Sequence, residues 1–260
     1  MNKFLNSPTI FKIAKQKTPD IEIEIKQKMF RHEVANELEG NANIGIELGV
    51  AKGIYSKRML NSGRFKVFFR VDKYSDIHNT KEYKEALRYI GLDAVNYRLL
   101  RMSFDSACEL FDNNYFDFIY IDGYAHTGEE GGKTLIEWYK KLKVGGILAG
   151  DDYHDEWPLV KWAVNDFALK LGVKLFVTAG KEDYAYCRYP TWYLKKERDI
   201  LIEPNLELIN IANKEKKRIG DKRNMPASHF NYRKFIGKIL DKMGLNKVIL
   251  NFNKENKDDL

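Results

Sequence analysis

Four places in the first 152 residues carry residue types whose chemistry and spacing suit one ligand site. The first is a glycine-containing loop over residues 44–56. The other three are acids that come after later apolar stretches: Asp72, Asp122 and the pair Asp151 and Asp152. Ligands of open parallel sheets bind beyond the carboxyl ends of the strands, so we expect these residues to meet at one sheet edge.

Three carboxylates in one crevice need something to balance their charge. Two of them held about 4 Å apart repel by roughly 4 kcal/mol at an effective dielectric constant near 20. Asp122, Asp151 and Asp152 would therefore need protonation, basic neighbours or a metal ion. Ligand sets made only of oxygen favour Mg²⁺, Mn²⁺ or Ca²⁺ over zinc. The alternative is that Asp151 and Asp152 cap the next helix or form a side-chain turn.

The loop departs from the pattern that binds dinucleotides. That pattern has glycines at three fixed positions, and counting from Gly49 this chain has Ala51 and Ile54 at the other two. Because the second glycine lets the backbone approach a pyrophosphate, a dinucleotide is disfavoured here. An alternative without any ligand is that the glycines only shape a turn between a strand and a helix.

Instead, Glu47-Leu48-Gly49 with Gly53 four residues later resembles the first motif of class I S-adenosylmethionine-dependent methyltransferases. The resemblance implies that Glu47 lies near the cofactor ammonium and that Gly49 and Gly53 let the backbone run under the cofactor. It also implies that Asp72 accepts the ribose hydroxyls. Three further residues are expected to contact the cofactor. They are Asp122, Ser56 at the end of the loop, and Ser103, which follows the third strand and is expected on the adenine side.

The stretches 116–123 and 144–154 narrow the resemblance to small-molecule O-methyltransferases, grouped with macrolide-sugar methyltransferases and cephalosporin-hydroxylase-like relatives. The likeness covers about residues 42–196. It implies that Asp122, Asp151 and Asp152 bind a divalent cation, Mg²⁺ or else Mn²⁺ or Ca²⁺, and that Asp122 and Asp151 take part in catalysis. A histidine of this branch can be the general base. His126 stands one residue further from Asp122 than the histidine of the family pattern does. Three roles of His126 therefore remain open: general base, supporting partner of another site residue, or ordinary loop histidine.

Strand and helix patterns alternate from residue 43 onward, which predicts an α/β fold: a Rossmann-like, doubly wound, mostly parallel sheet. The last two strands have a short connection, which predicts an antiparallel hairpin at one edge. The expected strands are 43–48, 66–71, 96–101, 116–121, 146–149, 174–178 and 191–195, and the expected helices are 52–62, 81–92, 106–112, 130–142 and 158–171.

Three regions are expected along the chain. Residues 1–41 are predicted to form a helical cap, with a helix starting at Thr18-Pro19-Asp20. Residues 42–200 form the cofactor-binding domain, and residues 201–260 form a basic, partly helical extension. In that extension, residues 232–252 could form a basic amphipathic helix that docks on its own domain or on a sister subunit, as in a homo-oligomer, rather than on a membrane.

The net charge of +7 lies entirely in the tail. Residues 213–260 hold 13 Lys or Arg against 6 Asp or Glu, whereas residues 1–212 are balanced. Such a segment can contact an anionic partner, namely nucleic acid, anionic lipid or acidic polysaccharide, or it can simply be solvated. The two cysteines, Cys108 and Cys187, show no metal-binding spacing, and no signal peptide or run of 18 apolar residues is present. We expect a cytoplasmic protein without a transmembrane segment.

The sequence therefore predicts a cation-assisted, S-adenosylmethionine-dependent O-methyltransferase that acts on a hydroxyl of a sugar, a glycan or another polyhydroxylated natural product. Three aromatic residues could offer flat faces to a sugar ring or could belong to the core: Tyr124, Trp157 and Trp192. Two other functions remain open. One is an RNA methyltransferase that uses the basic tail, and the other is a non-catalytic protein that binds or scaffolds glycans.

Overall fold

A computed structural model of the chain describes residues 6–91, 94, 96–181 and 188–224, with side chains as far as 220. The chain divides into two compact units, Met1–Lys216 and Lys217–Leu260. The strands are β1 (Ile23–Lys26), β2 (Asn43–Leu48), β3 (Phe65–Val71), β4 (Tyr97–Leu100), β5 (Phe116–Ile121), β6 (Leu142–Gly150), β7 (Leu175–Thr178) and β8 (Trp192–Lys195). The helices are α1 (Pro8–Lys17), α2 (Ile54–Ser62), α3 (Thr80–Ile90), α4 (Phe104–Cys108), the single turn α5 (Gly128–Gly131), α6 (Lys133–Tyr139), α7 (Pro158–Leu171) and α8 (Leu206–Asn224).

The eight strands form one sheet in the order β1-β7-β8-β6-β5-β2-β3-β4. Strand β8 runs antiparallel to β6 and β7, and every other pair is parallel. The predicted Rossmann-like, mostly parallel sheet and its antiparallel hairpin are therefore confirmed. A strand that was not predicted, β1, pairs with β7 and lies outside the hairpin. The carboxyl ends of β2, β5 and β6 are neighbours, which places the loops that follow them side by side.

The central strands are buried on both faces, as expected for a parallel sheet between two layers. Along β5, Phe118 and Tyr120 pack into one hydrophobic cluster, and Ile119 and Ile121 pack into the other. Successive side chains of a strand point to opposite faces, so each central strand contributes to both clusters. This packing makes the strand ends a rigid base for the loops that carry the acids.

The N-terminal segment differs from its predicted form. The predicted helix start at Thr18 is wrong, because α1 ends there: the backbone N–H and the hydroxyl of Thr18 both donate to the Ala14 carbonyl, at 2.8 and 2.7 Å. The helix begins instead at Ser7-Pro8, a capping serine followed by a proline that needs no N–H partner. After α1 the chain forms β1 and a 3₁₀ helix, Arg31–Glu37. This segment belongs to the same compact unit as the sheet.

Several other elements differ in extent from the prediction: α4 covers Phe104–Cys108 instead of 106–112, and β6 covers Leu142–Gly150 instead of 146–149. The helix expected over 130–142 is shorter, because Gly131 and Gly132 interrupt it and Leu142 already belongs to β6. Helix α8 was not predicted, since its region lacks a regular apolar pattern. The predicted helix over 232–252 lies outside the described residues, so the anionic partner of the tail and the sister subunit stay predictions. Within the described part of the chain, no helix is long and apolar enough to cross a membrane.

Candidate active site

The glycine loop and the loop after β5 touch each other. The N–H of Gly49 donates to the Val71 carbonyl at 2.8 Å, and the N–H of Asp122 donates to the Leu48 carbonyl at 2.7 Å. Gly49 has a φ of +94°, and a Cβ added to it would lie 1.6 Å from the carbonyl oxygen of Asp122. Only glycine fits at this position, and the close approach places Asp122 next to the predicted cofactor loop.

The structure brings the three predicted acids together. Asp122 follows β5 and Asp151 follows β6, its neighbour, where Ile121 pairs with Gly150. One carboxylate oxygen from each of Asp122, Asp151 and Asp152 lies within 4.8 Å of the other two. Asp152 has a φ of +62°, which is rare for a residue with a side chain and turns the chain sharply after β6. Residues that are distant in sequence thus form one acidic cluster.

A buried arginine that sequence reasoning missed balances part of this charge. Arg31 is 3% exposed, and its Nη2 and Nη1 atoms lie 2.9 and 3.0 Å from carboxylate oxygens of Asp122 and Asp151. Its Nε donates to the Tyr120 hydroxyl at 3.1 Å, and its guanidinium lies 4.9 Å from the ring centre of Tyr55. Three carboxylates against one guanidinium leave a formal charge of −2 when all the acids are ionised.

Burial raises the pKa values of two carboxyl groups of the cluster, those of Asp151 and Asp152. Burial raises the pKa of Asp151 to about 7, although the Arg31 guanidinium opposes the shift. Burial and the neighbouring Asp151 also hold the pKa of Asp152 well above its ordinary value. The Oδ1 atom of Asp151 is buried and has no hydrogen-bond partner among the described residues. An unpaired carboxylate oxygen in an all-oxygen cluster fits a hard divalent cation, whose charge would favour the ionised carboxylates.

Glu47 is a second buried acid of the site. It lines the cleft described below, is 1% exposed, and accepts a hydrogen bond from the Ser56 hydroxyl. Burial raises the pKa of Glu47 to about 8, and the bond from Ser56 opposes that shift. Ser56 is itself fully buried and is not among the described residues that line the cleft. The structure therefore places Ser56 as a support for Glu47, and direct contact with a cofactor stays a prediction.

Asp72 organises the glycine loop from below. One of its oxygens accepts the N–H groups of Val50 and Ala51, both at 3.0 Å, and the other accepts the N–H of Tyr74 at 3.0 Å. Asp72 is 4% exposed, so the expected contact with ribose hydroxyls stays a prediction. Gly53, with a φ of +81°, begins α2 at the end of the same loop.

Ser103 has a local role in the structure. Its hydroxyl accepts the N–H of Ser106 at 3.2 Å and caps the first turn of α4. It is not among the described residues that line the cleft. Its assignment to the adenine side of a cofactor stays a prediction, and helix capping explains the serine without a ligand.

The acids and the glycine loop open onto one cleft of about 370 Å³, a volume typical of small-molecule sites. The loop side is formed by Glu47, Gly49 and the residues that follow, and the acidic side by the cluster and Arg31. Further described residues stand at its rim: Lys52, Ile54, His78, Glu82, Arg188 and Tyr189. The cleft thus has room beside Gly49 for an S-adenosylmethionine-sized ligand and reaches the acidic cluster.

His126 lies away from this cleft. It is 8% exposed, its ring packs edge-on against Tyr124 at 5.7 Å, and its carbonyl accepts a hydrogen bond from Asn6 at 2.8 Å. It is not among the described residues that line the cleft. Its role as base stays a prediction that this placement does not favour. Trp192 is 2% exposed and belongs to the core, whereas Trp157 packs against the rim residue Tyr189.

Glu129 is another site residue that sequence reasoning missed. It is 8% exposed, and its carboxylate accepts the N–H groups of Gly123 and Tyr124 at 3.3 and 3.2 Å. Burial raises the pKa of Glu129 to about 8, and the bonds from these two N–H groups oppose the shift. The sequence offers only its acidic character as a signal, because its position depends on an unusual turn of the chain.

The raised pKa values predict an unusual dependence of stability on pH. The folded protein holds protons on Asp151, Glu47 and Glu129 up to pH values of about 7 to 8, where the unfolded chain has released them. Without divalent cations, the free energy of unfolding should therefore fall as the pH rises from about 4 to 8. Thermal denaturation at several pH values checks this. Asp151→Asn should weaken the dependence, and a stability that rises over this range would contradict the pKa assignment.

Residues 46–153 match a family model described as a methyltransferase domain. A spermidine synthase from Thermotoga maritima has a similar fold, with 16% identity, a TM-score of 0.50, and coverage of 75% of this chain and 76% of that chain. No curated protein matches the chain significantly.

Two other solved structures align less extensively. One, from Listeria monocytogenes, is assigned as an S-adenosylmethionine-dependent methyltransferase, and the other, from Galdieria sulphuraria, as a sarcosine dimethylglycine methyltransferase. They share 14% and 20% identity and TM-scores of 0.37, and each alignment covers 46% of this chain. The chain spans 50% and 42% of their lengths. The chain is thus similar to a methyltransferase domain over residues 46–153, less than half of its length, and it shares its fold with the spermidine synthase.

Proposed function

Starting from a methyltransferase domain with an open cleft beside its glycine loop, we propose a specific reaction for this protein. It transfers the methyl group of S-adenosylmethionine to a hydroxyl of a sugar or another polyhydroxylated natural product, with the assistance of a divalent cation. The observation that carries this proposal is the meeting of Asp122, Asp151 and Asp152 beside Gly49 in one cleft. A methyl donor and an acceptor hydroxyl can lie next to each other there.

The donor side of the cleft has the features that S-adenosylmethionine needs. Glu47 offers a buried carboxylate to the ammonium group, and Gly49 keeps the loop backbone close to the cleft floor. Asp72 fixes that loop through the backbone N–H groups of Val50 and Ala51. When bound, the cofactor supplies a methyl group activated by a positively charged sulfur. The residues of the chain supply the orientation of the cofactor.

The acceptor side has the ligands for a hard cation. Asp122, Asp151 and Asp152 would hold Mg²⁺, or else Mn²⁺ or Ca²⁺, which supplies Lewis acidity toward a hydroxyl. Arg31 binds one oxygen of Asp122 and one of Asp151, so these two carboxylates are held in fixed orientations. The unpaired Oδ1 atom of Asp151 is then the oxygen best placed to accept a new partner.

Positioning should contribute more to the rate than proton transfer. Holding two reactants in line contributes up to about 7–11 kcal/mol, whereas a general base contributes about 10²- to 10⁴-fold, or roughly 3 to 6 kcal/mol. In this site Tyr55 and Tyr120 pack around Arg31, which orients the acids, and the close contact of Gly49 with Asp122 joins the two halves. The proposed mechanism therefore does not require His126 in the cleft.

The proposal predicts a division of labour between the acids. Asp122→Ala and Asp151→Ala should abolish turnover while cofactor affinity changes by less than about threefold. Asp72→Ala should weaken cofactor binding by at least tenfold, because two backbone N–H groups of the loop, those of Val50 and Ala51, lose their acceptor. Calorimetric titration of each variant with S-adenosylmethionine checks this.

Glu85 is half-buried and pairs with Lys52 at the rim. It offers a control, since Glu85→Ala should behave as the wild type does. An equal loss of cofactor binding in the three aspartate variants would refute the division between a donor side and an acceptor side.

A further inference from the structure

The backbone at α5 is left-handed. Five consecutive residues, Gly128 to Gly132, have φ values from +54° to +82°. Two of them, Glu129 and Glu130, carry side chains, and both have a φ of +54°. A side chain makes this conformation unfavourable because its Cβ crowds the neighbouring carbonyl group. Backbone strain of this kind next to a functional site indicates that one of the two glutamate side chains has a functional role in that site.

The surrounding structure enforces the turn from two sides. A Cβ on Gly128 would lie 2.3 Å from the Leu159 carbonyl oxygen in α7, and a Cβ on Gly131 would lie 2.6 Å from the backbone of Ile209 in α8. Within the turn, the N–H of Gly132 donates to the Gly128 carbonyl at 2.9 Å. The glycines therefore fit closely between two helices, and the two glutamates between them have to follow the same path.

The turn directs the side chain of Glu129 back toward the loop that follows Asp122. The carboxylate accepts the N–H groups of Gly123 and Tyr124, and it is buried there. A Cβ on Gly123 would lie 2.5 Å from the Oε2 atom of Glu129, so the loop and the carboxylate are in tight contact. The side chain of Glu130 instead pairs with Lys216.

We propose that Glu129 is a positioning residue: it holds the loop after Asp122 so that the Asp122 carboxylate faces Asp151 and Asp152. Two backbone N–H groups directly after Asp122 are bound by one carboxylate, which fixes the peptide planes on which the orientation of Asp122 depends. The role of Glu129 in cation binding rests on the proposed function, which assigns a cation to the three aspartates, whereas its contact with the loop does not.

Two substitutions at Glu129 test this role, and its neighbour supplies the control. In Glu129→Ala, amide exchange at Gly123 and Tyr124, measured by NMR, should become at least tenfold faster, because both N–H groups lose a buried acceptor. The affinity for Mn²⁺, measured by electron paramagnetic resonance, should fall at least tenfold, and the affinity for S-adenosylhomocysteine should stay within about twofold. Glu129→Gln keeps one acceptor oxygen and should give intermediate values. Glu130→Gln has the same backbone conformation and should match the wild type.

Three results would overturn the inference: unchanged exchange in Glu129→Ala, equally fast exchange in Glu130→Gln, or faster exchange with unchanged Mn²⁺ affinity. The last would leave Glu129 as a structural tie without influence on the cluster. If the wild type binds no Mn²⁺ at all, the proposed function loses its cation, whereas the exchange rates still decide whether Glu129 holds the loop.

Discussion

Gly49→Ala should destabilise the protein by more than about 3 kcal/mol and abolish cofactor binding. The new methyl group would lie 1.6 Å from the Asp122 carbonyl oxygen, and both atoms belong to backbone segments that the sheet holds in place. Relief requires the glycine loop to move away from the loop after β5, which is costlier than ordinary overpacking of a core. Chemical denaturation and calorimetric titration with S-adenosylhomocysteine measure the two effects.

Gly63→Ala is a control that separates the effect of the steric clash at position 49 from the effect of backbone strain at a positive φ. Gly63 also has a positive φ, of +65°, but a Cβ there would meet no atom within 4 Å. The free energy of unfolding of this control should fall by only about 1 kcal/mol, and its cofactor affinity should equal that of the wild type. If Gly49→Ala were no more destabilising than Gly63→Ala, the close contact between the two loops would be incorrect, and with it the adjacency of donor and acceptor sides.

Arg31→Met should lower the free energy of unfolding by about 3–5 kcal/mol at neutral pH, because it leaves buried carboxylates without their counter-charge. Asp122 and Asp151 would both lose an ion pair, and the Tyr120 hydroxyl would lose a donor. A saturating divalent cation should restore more stability to this variant than to the wild type, since the freed oxygens become available. Denaturation with and without Mg²⁺ measures this difference.

Arg70→Met is a matched control for the loss of a buried arginine. Arg70 is 2% exposed and donates from Nη2 to the Tyr97 carbonyl at 2.9 Å, while its Nε and Nη1 atoms have no partner among the described residues. We expect a smaller loss and no added benefit from Mg²⁺. A stability of Arg31→Met within about 1 kcal/mol of the wild type would show that the cluster does not depend on the guanidinium.

Local patterns were sufficient to predict the elements that carry most of the site. The bounds expected for β2, β5 and α7 agree with the structure, because apolar residues recur along both strands and α7 has clear end signals. Pro158 begins that helix and Gly172, with a φ of +67°, ends it. The acids at the ends of β5 and β6 followed from the same reasoning, since parallel neighbours bring their carboxyl ends together.

The residues that complete the site depend on tertiary contacts that no local pattern contains. Arg31 lies in a short 3₁₀ helix, and nothing in its neighbouring residues links it to acids about 90 and 120 positions later in the chain. The requirement for a basic neighbour was evident from the charges, but its identity was not. Glu129 was hidden for another reason, because helix propensity gives no indication of a left-handed turn enforced by two packed helices.

The most direct test is methyl transfer from S-adenosylmethionine labelled in the methyl group to a panel of sugars, glycans and other polyhydroxylated compounds, with RNA included for comparison. The proposed function predicts label on a hydroxyl of at least one such acceptor when Mg²⁺ is present, no transfer with EDTA, and recovery when excess Mg²⁺ is added back. Asp151→Asn should show no transfer under any of these conditions. Label in RNA alone, or transfer to a hydroxyl that EDTA and Asp151→Asn leave unchanged, would contradict a cation held by the three aspartates as the basis of catalysis.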